Sequence, residues 1–203
     1  APGGGTDIIT RMVGQKLGVA INQQVVVDNR PGAAGNIAAE LVAKAPPDGY
    51  TLIVVTASHA VNPSLYKKLG YQQSDFAPVT TLTMAPLILT VNPQSERTGS
   101  FKSAADLAAF ARARPGELKY GSAGPGNITG LAFEVFSNKA GFKALHVPYK
   151  GAVAAQQGVM AKEVDTFLDT PMAVPHVKAG RLTALAVTGP TRWRDLPDVP
   201  TMK

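Results

Sequence analysis

Cysteine is absent from the 203 residues, which excludes disulfides, thiolate metal sites and a cysteine nucleophile. That absence fits a bacterial periplasm and a cytosol equally well. Long apolar runs are also missing, since nothing approaches the roughly 20 residues that span a bilayer. No signal peptide is expected, because residue 1 already lies in a Pro-Gly-rich loop. Aromatics are scarce at 6%, and the basic residues behind a net charge of +6 are scattered. Without a basic stripe and interleaved aromatics, nucleic acid is not an expected partner. A mild positive field still attracts small anions. Charged residues at 17% against 45% hydrophobic argue for a packed core rather than disorder.

Catalytic chemistry is thinly supplied. His59, His146 and His176 have no metal-binding spacing and read as surface or packing residues. No G-x-S-x-G elbow is present. Adjacent Ser58 and His59 make a poor nucleophile–base pair, and no two carboxylates stand out for acid–base work. No catalytic residue, cofactor or metal is therefore expected. Trp193 reads as a packing residue near a lobe junction.

Short β-branched runs alternate with Ala-rich stretches, which predicts an α/β fold. Strands are expected at Val25–Asp28, Thr51–Thr56, Leu87–Val91, Lys119–Gly121, Val164–Leu168 and Thr183–Thr188. Their runs are apolar throughout, as in parallel strands buried on both faces. Helices are expected at Asp7–Leu17, Ala34–Ala45, Ala104–Ala113, Thr129–Ala140, Ala152–Lys162 and Met172–Ala179. Ser103 with Asp106 forms a capping box, Gly141 and Gly180 suit left-handed helix ends, and Thr170-Pro171 reads as a cap followed by proline. A lobe boundary is expected near Asp75–Pro86. The organisation is then residues 1–85 as lobe one, 86–190 as lobe two, and 191–203 as a segment crossing back toward lobe one.

Three glycine-rich loops carry the functional signal. Pro2-Gly3-Gly4-Gly5-Thr6-Asp7 stands directly before a helix, where backbone N–H groups and the helix dipole favour an anion. Thr6 or Asp7 can cap that helix. Gly121-Ser122-Ala123-Gly124-Pro125-Gly126-Asn127-Ile128-Thr129-Gly130 joins a strand to a helix. It offers the side chains of Ser122, Asn127 and Thr129 beside free N–H groups, without a Walker lysine or a Rossmann acidic partner. Arg30-Pro31-Gly32-Ala33-Ala34-Gly35-Asn36 is the third, and its glycines also suit close helix packing. Each loop alone also reads as an ordinary turn, the 121–130 loop less readily than the other two. Asp169 and Ser58 follow strands and so face the ligand crevice of an open α/β sheet; Asp169 also suits holding a loop in place.

Taken in order, these segments resemble the substrate-binding proteins of tripartite tricarboxylate transporters, also called Bug proteins. The matching runs are the opening loop, Asp28-Asn29-Arg30-Pro31-Gly32-Ala33-Ala34-Gly35-Asn36, Pro47-Asp48-Gly49-Tyr50-Thr51-Leu52 and Asp75-Phe76-Ala77-Pro78-Val79. Tyr120-Gly121-Ser122-Ala123-Gly124, Val147-Pro148-Tyr149-Lys150-Gly151, Ala179–Thr188 and Leu196–Thr201 continue the match to the end. The resemblance implies a two-lobed, type II periplasmic-binding-protein (Venus-flytrap) architecture. It implies an extracytoplasmic receptor that closes on a small organic carboxylate and delivers it to the membrane components of the transporter. It implies ligand contacts at Gly3, Gly4, Thr6, Asp7 and Ser58 from lobe one, and at Ser122, Ala123, Asn127, Thr129 and Asp169 from lobe two. Departures stand at Asn127, where the family often has Ser or Thr, and at Gly130, where it often has His. The family is longer, so lobe one is expected to lack its first strand and C-terminal completion. Strand edges left open in this way invite pairing with another copy. The alternative is an α/β enzyme acting on a small carboxylated or phosphorylated metabolite through the same loops.

Overall fold

A computed structural model of the chain describes residues 2–202. It divides into two units, Ala1–Thr83 and Met84–Lys203. The first is helical with extended connections. Helix α1 (Gly5–Ile21) ends at Asn22 in the left-handed conformation, φ 51°, with the Gln23 N–H donating to the Gly18 carbonyl at 3.0 Å. Gly14 lets the chain return along this helix, because a Cβ there would lie 3.1 Å from Val25 Cγ1. Helix α2 (Asn36–Ala43) follows four consecutive residues of positive φ, Gly32 to Gly35. Two of these, Ala33 and Ala34, hold the left-handed conformation against their own Cβ atoms.

Helix α3 (Ser58–Leu65) was not expected from the sequence and carries Pro63 inside it. Proline removes the N–H that would reach the His59 carbonyl. Gln73 Nε2 supplies the missing donor at 3.2 Å. The two strands expected in this unit are not formed. Residues 25–28 and 51–56 run without a ladder partner among the described residues. Their β-branched side chains are largely exposed, Val26 by 78%. High strand propensity is fulfilled only against a neighbouring backbone and a covering layer.

The second unit is a five-stranded sheet between two helical layers. Its strands are β1 (Ile88–Val91), β2 (Lys119–Ser122), β3 (Leu145–Pro148), β4 (Thr166–Asp169) and β5 (Thr183–Val187), in the order β3-β2-β4-β1-β5. β2 runs parallel to β3 and β4, whereas β1 is antiparallel to β4 and β5. The sheet is therefore mixed, not wholly parallel as the apolar runs suggested. Burial on both faces removes alternation in either direction, so the pattern cannot report strand polarity.

Period-two geometry distributes the core. Leu89, Val91, Tyr120, Leu168 and Leu185 pack beneath α4 (Ala104–Ala113) and α5 (Ile128–Ala140). Ile88, Phe167 and Val187 pack beneath α6 (Ala152–Met160) and the 171–178 turn-helix, which contains α7 (Val174–Lys178). The Ser103–Asp106 capping box forms as expected, and Gly141 closes α5 at φ 69°. β3 was missed from sequence. Toward the chain end, Thr201 pairs with Val187 in parallel, and Trp193 packs against the second core layer of this same unit.

Candidate functional site

In the first unit the opening loop places Asp7 at the third position of α1, with Gly4 as N-cap and no side-chain cap. The Asp7 carboxylate instead reaches back to the Gly3 N–H at 2.8 Å. It also accepts from Asn29 Nδ2 at 2.9 Å and Arg11 Nε at 3.0 Å. These bonds, the Asn29 amide foremost, lower its pKa from 3.8 to about 2. Gly3 is thus engaged internally. The N–H groups of Gly5 and Thr6 have no acceptor among the described residues. They open the N-terminal end of a 17-residue helix, where the dipole favours negative charge. Ser58, the other expected contact here, is buried at the start of α3.

A neighbouring buried group escaped sequence reasoning. Asn62 Nδ2 donates to Asn36 Oδ1 at 2.6 Å, and the Tyr71 hydroxyl donates to the same oxygen at 2.7 Å. Asn36 Nδ2 and Asn62 Oδ1 stay buried without hydrogen-bond partners among the described residues. No local pattern links positions 36, 62 and 71. His59 stacks on Tyr71 and meets Phe76 edge-on, the packing role expected of it.

In the second unit the loop after β2 brings Ser122, Ala123, Asn127 and Thr129 together. Most of its N–H groups are engaged within the loop, contrary to the expectation of free ones. The Ala123 N–H donates to Thr129 Oγ1 at 3.0 Å, and the Gly124 N–H to Ser122 Oγ at 3.2 Å. Asn127 Oδ1 caps α5, accepting from the Thr129 N–H at 3.1 Å and its hydroxyl at 3.0 Å. Its accepting oxygen is engaged, and among the described residues its Nδ2 has no recorded acceptor. Gly124 and Gly126 adopt φ of 124° and 71°, which permits this tight path. Ser122 and Thr129 are themselves buried.

His146 on β3 is exposed and stacked, in keeping with the surface or packing role expected of it, but it also makes a polar contact that the sequence did not indicate. Parallel register sets it opposite Tyr120, and its Nε2 lies 2.6 Å from Ser122 Oγ. Its ring stacks on Tyr120 at 4.8 Å, and Tyr120 stacks on Phe133 at 4.0 Å and hydrogen-bonds Glu134. The signal lies in a non-local strand pairing that no motif encodes. The contact is no hydrolytic pair, because Ser122 is completely covered and its oxygen already accepts from Gly124.

Asp169 ends β4 fully buried. It accepts from Gln156 Nε2 at 2.8 Å and the Thr170 N–H at 2.7 Å. Burial without a paired cation raises its pKa to about 7.

The described residues thus comprise an α/β unit with a polar strand-to-helix loop, preceded in the chain by a helix whose first N–H groups have no acceptor among the described residues. Residues 9–203 match the model of the tripartite tricarboxylate transporter family receptor, and the chain belongs to that family. It is 38% identical to a protein of the tcbD-tcbE intergenic region of Pseudomonas sp. strain P51, over 99% of this chain and 59% of that protein. Among solved structures, R. palustris Rpa4515 with adipate superposes with a TM-score of 0.91 at 38% identity, over 100% of this chain and 67% of that one. MatC of Rhodopseudomonas palustris with bound malate gives 0.87 at 30% identity, over 99% and 68%. The chain thus spans about 59% of the length of the curated relative named. No helix is long and apolar enough to cross a membrane among the described residues.

Proposed function

We propose that this chain is part of a periplasmic receptor for a small organic dicarboxylate, serving the membrane components of a tripartite tricarboxylate-type transporter. Family membership and the ligands named for two solved relatives, adipate and malate, support the ligand class. The observation that carries the reading is the pair of N–H groups, Gly5 and Thr6, at the head of α1, which have no acceptor among the described residues. They give a carboxylate charge-assisted hydrogen bonds worth about 1.5–3 kcal/mol each.

In this reading Gly5 and Thr6 donate to the anion directly, Gly4 lets it approach as an N-cap without a side chain, and Asp7 holds Gly3 so that the loop keeps its shape. Within the second unit, taken by itself, the Asn127 amide offers a further donor, since its Nδ2 has no acceptor among the described residues. Ser58, Ser122, Ala123, Thr129 and Asp169 act as braces beneath the contact surface, consistent with their burial or internal bonds. Residues 1–85 and 86–190 correspond to the two lobes, with 191–203 as the returning segment. Open edges at 25–28 and 51–56 favour pairing with a second copy.

Isothermal titration of the chain with malate, adipate, succinate and citrate tests the proposal. Saturable one-site binding of at least one is expected, and heat of dilution alone from all four overturns it.

A further inference from the structure

The Ser122–His146 contact has no structural need to be ionisable. His146 is solvent-exposed, whereas its partner Ser122 is completely covered. The imidazole is therefore the one part of this pair that bulk solvent or a ligand reaches. A Cβ on Gly130 would lie 3.2 Å from Ser122 Cβ and 3.7 Å from His146 Nε2. The bare glycine therefore leaves room for Ser122, and the ring lies within ordinary contact distance of the first turn of α5, beside the Asn127 cap.

We propose that His146 is a positioning residue that reads the charge at the 122–127 loop. It holds Ser122 in one orientation when neutral and takes up a proton when a carboxylate settles there. This rests on the dicarboxylate reading above.

Ser122 Oγ accepts from the Gly124 N–H, which leaves its single proton for His146 Nε2 at 2.6 Å or the Gly124 carbonyl at 3.3 Å. In this proposal it goes to the shorter contact, so that neutral His146 carries its own proton on Nδ1. On protonation Nε2–H donates to Oγ, the hydroxyl turns to the Gly124 carbonyl, and the loop gains a bond across residues 122–124. A positive charge then stands beside the loop. Glu134 of α5 and Tyr120 of β2 are the titratable groups facing the ring, and the Glu134 carboxylate favours the charged form. Partial desolvation of the ring face against Tyr120 and Ser122 pulls the other way and lowers the free-state pKa from the usual histidine value. An anion at the loop shifts that balance toward imidazolium. Binding therefore tightens as pH falls, by linkage.

Titration with adipate between about pH 6 and pH 8, where both carboxyl groups stay ionised, is the test. The wild-type chain is expected to bind about fivefold more tightly at the lower pH and to take up a proton fraction measurable in two buffers. H146F keeps the stack on Tyr120 but has no nitrogen, and its affinity should be weaker and flat with pH. H146Q retains a donor toward Ser122 and should recover affinity at pH 8 while staying flat. An unchanged pH slope in H146F overturns the proposal, with wild-type binding intact. Without ligand, imidazole 15N shifts should report the Nδ1–H tautomer in wild type and its loss in S122A. An Nε2–H tautomer overturns the proposal even if every dicarboxylate fails to bind, a result that would instead remove the functional reading. The same ligand-free measurement decides the matter if H146F fails to fold.

Discussion

Two aspartates, one in each unit, are driven in opposite directions by the structure. Asp7 sits at the head of a helix, ringed by an amide, a guanidinium and a backbone N–H, and falls to about 2. Asp169 ends a central strand with only neutral donors and rises to about 7. The first unit organises its loop around a fixed, compensated charge and leaves helix N–H groups open. The second closes its loop with hydroxyls and an asparagine cap, and hides its carboxylate under a full sheet. In the proposed reading, anion affinity in the first unit would come from unengaged dipoles, and in the second from what can be displaced or protonated.

The largest expected effect contrasts the two interiors. Phe167→Ala removes a fully buried ring from the second unit and should cost about 3–5 kcal/mol in urea unfolding. Trp193, the sole tryptophan, packs in the same core layer and reports the transition. Val26→Ala in the first unit should stay within about 0.5 kcal/mol by circular dichroism, given its exposure. A cost above about 1 kcal/mol there would mean that residues 25–28 are covered in solution, as by a second copy.

The aspartates come next, because they set opposite pH windows. Asp169 is protonated more readily folded than unfolded, so its contribution is complete below about pH 4. It is lost as pH rises through about 7. D169N should therefore flatten the stability of the second unit between those limits, a difference on the order of 2–4 kcal/mol in denaturant midpoints. Asp7 behaves inversely: its stabilisation is present above about pH 4 and disappears as pH falls toward about 2. D7N should abolish that acid dependence and speed exchange of the Gly3 amide, measured by hydrogen exchange. Equal pH profiles for the two variants would erase the contrast.

Local signals in the sequence were reliable where the cause was local. The Ser103–Asp106 cap, the Gly141 terminus and the helices of the second unit all depend on residues within four positions of one another. Strand polarity, β3 and the role of His146 depend on which backbone lies alongside, and a buried strand looks the same whatever its direction. The strands expected at 25–28 and 51–56 show the same limit from the other side, since a strand needs a partner that propensity cannot supply. In the loops, sequence marked the right segments. It did not reveal that Ser122, Thr129 and Asp7 bond to the loops themselves, because donors that suit an anion equally suit a neighbouring amide.

The smallest effect is also the most discriminating for the first unit. Gly4 is an N-cap with no side chain, at φ −77° and ψ 164°, a conformation that serine adopts without strain. Gly4→Ser should add a few tenths of a kcal/mol of stability, as a serine cap does over glycine. Its hydroxyl oxygen would accept from the N–H groups of the first turn, the same donors assigned to the carboxylate. Adipate affinity should therefore fall while thermal stability rises slightly, a pairing that general damage to the loop cannot produce. If affinity holds as stability rises, the open head of α1 is not where the anion binds, and the contrast between an open first loop and a closed second one loses its functional meaning.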